Sequence, residues 1–96
     1  MAPLRSLVSA RREQVMAVAA RHHAIRVRVF GSVARGDDRP DSDIDLLVDF
    51  APDSSLFDLM RMARELEELL GHPVDVVSTG GLKDRDRHIL AESVDL

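Results

Sequence analysis

Cysteine, tryptophan and tyrosine are all absent from this 96-residue sequence, and three phenylalanines are its whole aromatic content. Without cysteine there is no disulfide framework and no thiol chemistry, which fits a cytoplasmic setting. So few aromatics leave no platform on which nucleic-acid bases could stack. With no tyrosine in the chain, any chemistry at a tyrosine hydroxyl takes that hydroxyl from another molecule. A basic excess is missing too: 13 Lys and Arg face 17 Asp and Glu, for a net charge of −4. Phosphate neutralisation dominates affinity for free DNA or RNA and leaves a basic footprint, so free nucleic-acid binding is not expected. No apolar run reaches the ~18 residues of a membrane span. The opening MAPLRSLVSARREQ lacks the continuous apolar segment of a secretory signal.

What is present is the composition of one soluble globular domain over residues 1–96, with 45% hydrophobic and 31% charged residues. Leu4, Leu7, Val8, Val15, Val18 and Ala19 recur at helical spacing and predict a helix from Leu4 to about His23, with Pro3 suited to its first turn. Ile25–Phe30 alternates as a half-buried strand, Ile25, Val27 and Val29 inward and Arg26 and Arg28 outward. A turn or two of helix fits Ser32–Gly36, and a loop fits 37–42. Asp43–Phe50 is the clearest strand: Ile44, Leu46, Val48 and Phe50 make one apolar face, and Asp43, Asp45 and Asp49 share the other. Ser55–Leu70 reads as a second long helix, with a Ser55/Asp58 capping box, Gly71 beyond its end, and Leu56, Leu59, Met60, Ala63, Leu66, Leu69 and Leu70 buried. Val74–Ser78 is a third strand, broken by Thr79-Gly80-Gly81. A last helix is expected from Leu82 to about Val94, with Leu82, Ile89, Leu90 and Val94 inward. The order α-β-(short α)-β-α-β-α implies an α/β (α+β) fold, a small sheet covered by helices.

The chemistry concentrates in Gly31–Asp45, GSVARGDDRPDSDID. Asp43 and Asp45 stand two apart on a strand, so both side chains point the same way with Cα atoms roughly 6.5–7 Å apart. Such a pair can hold divalent cations, and a two-metal site needs ions about 3.5–4 Å apart. Mg²⁺ favours carboxylate, water and phosphate oxygens. The alternative is a solvated strand with incidental acids. Against it, Asp is depleted in strands and like charges on one face repel, so without a cation one of the pair should be pushed toward its protonated form. Gly31 ends an apolar strand and lets backbone approach a ligand closely, and Ser32 adds a hydroxyl to what can be a phosphate-binding turn. GSVARG has the glycine spacing of a P-loop, but Asp37-Asp38 stand where Lys-Ser/Thr is required, so that reading fails.

Asp75, between Val74 and Val76, is the candidate third carboxylate, and the alternative is a surface acid on an edge strand. Asp49 is the rival, although it lies ~13 Å along the strand from Asp45. Arg35 could reach a phosphate or pair with Asp37 or Asp38 at the surface. Asp37, Asp38 and Asp41 fit loop acids, and Ser42 fits a local hydrogen bond. His22, His23, His72 and His88 show no metal-ligand spacing and read as surface or helix-end residues. Lys83, Arg85 and Arg87, interleaved with Asp84 and Asp86, read as a solvated helix face.

The pattern G-S-x-A-R-G…S-D-x-D-L-x-V, followed by an Asp in a later strand, resembles the nucleotidyltransferases of the DNA polymerase β superfamily. The small size resembles their minimal form, the MNT domain. The resemblance implies a mixed sheet flanked by helices, with Gly31 and Ser32 as the phosphate contact, Asp43 and Asp45 as paired metal ligands, and Asp75 as the third carboxylate. It also implies ATP as substrate, Mg²⁺ as cofactor (two ions), and a hetero-oligomer with a HEPN-type ribonuclease toxin, silenced when AMP is attached to its tyrosine. Two alternatives stay open: an antitoxin that neutralises its toxin by binding alone, and a nucleotidyltransferase acting on a small molecule. Larger relatives carry a further domain that holds the acceptor.

Overall fold

The computed structural model describes residues 4–96, so the expected first-turn role of Pro3 lies outside the described residues. Strands β1 (Ala24–Phe30), β2 (Ile44–Phe50), β3 (Val74–Ser78) and β4 (Val94–Asp95) form one sheet in the order β3-β2-β1-β4. β2 pairs antiparallel with β1 and parallel with β3, and β1 pairs antiparallel with β4. The sheet is therefore mixed. A parallel pair needs a crossover, and helix α4 (Leu56–Leu70) supplies it between β2 and β3.

Val27, Val29, Ile44, Leu46, Val48 and Val74 point to one side and are buried. The helices that cover them contribute Leu4 and Val8 from α1 (Leu4–Ala10), Val15, Val18 and Ala19 from α2 (Arg12–Arg21), and Met62, Leu66 and Leu70 from α4. The opposite side of β2 carries Asp45, Leu47 and Asp49, as alternation requires. Leu47 is nevertheless fully buried, so that side is closed at its centre and polar toward its ends.

Several elements depart from the sequence-based expectation. The first helix is two: α1 and α2 meet at Arg11, which is neither glycine nor proline. Residues 9–14 are all exposed, so no packed side chain holds the axis straight across the joint. Ile25 points outward and is 66% exposed, because the β1–β2 register shifts between Ala24 and Arg26. An irregularity of that kind reverses the side of the residue it displaces.

On α4 the buried stripe is Met62, Leu66 and Leu70, with Leu59, Ala63 and Leu69 half-buried. Leu56 and Met60 are exposed, as is Phe57. At 3.6 residues per turn, Leu56 and Met60 lie about 120° round the helix from Met62 and Leu66 respectively, so the expected stripe was too wide. The capping box is present, with the Ser55 N–H donating to Asp58 Oδ2 at 2.9 Å, and Gly71 closes the helix at φ 71°. The expected C-terminal helix shrinks to a 3₁₀ turn at Asp84–Asp86 and α5 (Arg87–Glu92). Leu90 is exposed, and Val94 belongs to β4, opposite Val29. His22 ends α2, as expected, but it is buried: Nε2 lies 2.9 Å from Glu65 Oε1, tying α2 to α4. Hydrogen bonds from His22 and Arg21 hold the Glu65 carboxyl below its ordinary range.

Candidate active site

Strand β1 delivers the chain into Gly31, which opens the short helix α3 (Gly31–Arg35) at φ 72°. Phe30, the last residue of β1, faces Asp45 across the ladder, so the turn is forced close to that carboxylate. A β-carbon on Gly31 would clash with Asp45 Oδ2. Both the left-handed backbone and the contact therefore require glycine. Ser32 follows within the first turn of α3, and Gly36, again left-handed, closes the helix by donating its N–H to the Ser32 and Val33 carbonyls. The loop beyond is held locally by the Arg39 N–H donating to Ser42 Oγ at 2.7 Å, and from a distance in sequence by the Leu4 N–H of α1 donating to Asp38 Oδ2 at 2.9 Å.

Asp45 and Asp75 are direct partners in the parallel β2–β3 pair. Aligned residues of neighbouring strands point to the same side, so the third acid stands beside the second and on its face of the sheet. Asp43 lies one residue ahead of β2 and is exposed, Asp45 is half-buried and Asp75 is exposed. Burial first, then the charges of Asp75 and Asp43, push the Asp45 carboxyl up to about 6, and the Arg35 guanidinium opposes them. This is the like-charge effect expected of crowded acids, falling on the buried member of the group.

The crowding is incomplete. Among the described residues, no three Asp, Glu or His side chains are gathered closely enough to form a ready metal cage. Asp49 does not supply the third position: it faces Arg28, with Oδ2 3.7 Å from the guanidinium. The donor set still fits a hard divalent cation, since Mg²⁺ is commonly held by one or two carboxylates and completed by waters and substrate phosphates.

Arg35 stands at the end of α3 and is engaged by two carboxylates, Asp37 Oδ2 at 3.2 Å and Glu92 Oε2 at 3.3 Å. The surface pairing with Asp37 is thus formed, while Asp38 pairs elsewhere. Nothing in the sequence marks Glu92. Its other oxygen accepts from the Gly31 N–H at 3.1 Å, so it touches both the turn and the arginine. A glutamate near the end of a short helix carries no signal that would have marked it.

The nucleotidyltransferase domain family model matches residues 11–94, which include all of these groups. The chain belongs to that family. A Methanocaldococcus jannaschii protein named as a candidate protein adenylyltransferase is 42% identical to this nucleotidyltransferase over 89 residues, 88% of this chain and 92% of its own. A solved structure of a candidate minimal nucleotidyltransferase is 52% identical and superposes with a TM-score of 0.85, covering 96% of this chain and 95% of the other. The fold is also shared, at 16% identity and a TM-score of 0.68, with a chain from the complex of tri-AMPylated Shewanella oneidensis HEPN toxin with MNT antitoxin. That match covers 91% of this chain and 69% of the other. Among the described residues, no helix is long and apolar enough to cross a membrane.

Proposed function

We propose that this nucleotidyltransferase is a Mg²⁺-dependent protein adenylyltransferase, an antitoxin that moves AMP from ATP to a tyrosine hydroxyl of a HEPN-type ribonuclease. The observation that carries the reading is the Asp45–Asp75 pair set beside the Gly31 turn, with Asp45 pushed up to about 6 by its surroundings. The naming of a full-length relative as a candidate protein adenylyltransferase, and the AMP carried by the toxin in a structure of the same fold, support the choice of acceptor class.

In this reading Asp43, Asp45 and Asp75 hold the cation, and Gly31 and Ser32 meet the triphosphate. When bound, Mg²⁺ neutralises phosphate charge and lowers the pKa of the attacking hydroxyl. The reaction itself asks mainly for positioning and charge neutralisation. The tyrosine oxygen attacks the α-phosphorus, the α–β bridging oxygen leaves with pyrophosphate, and Asp75, the more exposed partner of the carboxylate pair, takes the phenolic proton. The left-handed Gly31 backbone brings its turn within contact of Asp45, so phosphate and carboxylates share one small volume. An anion added to a ribonuclease obstructs its anionic substrate.

A second reading, silencing by binding alone, draws on the exposed apolar side chains Leu56, Phe57 and Met60, apolar area that a protein partner would cover. The two readings separate in cells expressing a cognate HEPN-type ribonuclease. Under the enzymatic reading, wild type protects and the Asp43→Ala/Asp45→Ala double variant does not, and mass spectrometry finds AMP on the toxin only with wild type. Equal protection by the double variant establishes masking instead.

A further inference from the structure

The Glu92 carboxylate bridges the Gly31 N–H, at 3.1 Å, and the Arg35 guanidinium, at 3.3 Å. A backbone amide and an arginine converging on two oxygens of one anion is the arrangement a phosphate group would use. Glu92 reaches it from the last residue of α5, two residues before Val94 enters β4 and pairs with Val29 of β1. Its side chain is 28% exposed and that of Arg35 51%, so the Gly31 end of the contact is set into the surface and the arginine end is open to solvent.

We propose that Glu92 is a built-in competitor for the nucleotide phosphate: it holds the Gly31 amide and Arg35 when no nucleotide is bound, and it is displaced when one binds. The proposal rests on the reading of Gly31 as a phosphate contact. Arg35 already carries Asp37 beside Glu92, but the single Gly31 N–H is taken by Glu92, and a phosphate drawn to the same amide would stand against that carboxylate at short range, so occupation by phosphate and by Glu92 exclude one another. Displacement also loosens the segment that Glu92 fastens. The two-residue strand β4 is held by its pairing with β1 and by Arg26 donating to Asp95 at 2.8 and 2.9 Å, and the Glu92 contacts fasten the residues immediately before it. Nucleotide binding and docking of residues 87–96 are therefore antagonistic, and by reciprocity anything that frees this segment raises nucleotide affinity. In the proposed antitoxin such a latch lets a partner that engages residues 87–96 load the enzyme with ATP only when an acceptor is at hand.

The test measures the dissociation constant of ATP with Mg²⁺, by calorimetry, for wild type, Glu92→Gln and Glu92→Ala. It adds hydrogen exchange of wild type with and without saturating ATP and Mg²⁺. The latch gives roughly threefold to tenfold tighter binding in both variants, from the loss of a resident anion at a half-exposed site. It also gives faster exchange over residues 87–96 alongside slower exchange over 30–36 when wild type binds ATP. A merely structural Glu92 would do the reverse: binding unchanged or weaker in the variants, and residues 87–96 unchanged or further protected by ATP. Either result overturns the proposal. Should Glu92→Ala fail to fold, the isosteric Glu92→Gln decides. If wild type and both variants all fail to bind ATP, the phosphate reading of Gly31 falls and takes the latch with it, an outcome distinct from binding with unchanged affinity.

Discussion

Replacing Asp45 with Asn should stabilise the metal-free fold at neutral pH while removing activity. The carboxyl of Asp45 is pushed from its ordinary 3.8 to about 6 by burial, Asp75 and Asp43. The folded state therefore binds its proton more tightly than the unfolded chain does. The stability that this proton contributes is fully present below about 3.8 and is lost as pH rises through about 6. The whole difference corresponds to about 3 kcal/mol, and because Asp45 is only half-buried, screening reduces this to about 1–2 kcal/mol. Asparagine keeps the shape and never ionises, so it escapes the loss. In chelator at pH 7.5, thermal unfolding of Asp45→Asn should lie about 5–10 °C above wild type, and at pH 4.5, still above the unfolded value of 3.8, that advantage should shrink to about a third. If the variant melts at or below wild type at pH 7.5, or if its advantage does not shrink on acidification, the crowding of acids at this end of the sheet is not what the geometry implies.

Other expectations follow from the same contacts. Gly31→Ala crowds a β-carbon against the Asp45 carboxylate and puts an L-residue at positive φ. It should lose about 1–2 kcal/mol from the backbone alone, read by urea denaturation, and bind ATP more weakly. Leu46→Ala opens a cavity where sheet and helices meet and should cost about 2–5 kcal/mol without altering the acids. Saturating ATP with Mg²⁺ should raise the melting temperature of wild type by about 10–20 °C at a hundredfold excess over the dissociation constant, and chelator should abolish the rise.

Much of the candidate site was legible because it lies on regular structure. Period-two alternation put Asp45 on the side of β2 away from the helices, with Asp43 one residue ahead of the strand, the short apolar run around Asp75 gave β3, and Gly31 at a strand end gave the turn. What the sequence does not encode locally is which residues of neighbouring strands align. The pairing of Asp45 with Asp75 follows from the parallel register, which only the packed fold defines. The misread residues share a cause. Ile25 alternates correctly in sequence, yet a register shift turns it outward. Leu56 and Met60 are apolar on a helix, yet only the narrower Met62–Leu66–Leu70 stripe meets the sheet. The pairing of Val94 with Val29 depends on an open edge of β1, which a two-residue strand cannot announce. Arg11 interrupts a helix through the absence of packing rather than through a breaker residue. Glu92 carries no motif at all, and its place opposite Gly31 arises wholly from how α5 returns to α3.

The most direct test of the central claim is transfer of label from α-labelled ATP to a cognate HEPN-type ribonuclease, comparing wild type with Asp45→Asn and Asp75→Asn under saturating Mg²⁺. Labelling by wild type, falling by about a hundredfold or more in each variant while both keep a native circular dichroism spectrum, is the expected result. Equal labelling by wild type and Asp75→Asn would contradict the paired-carboxylate site.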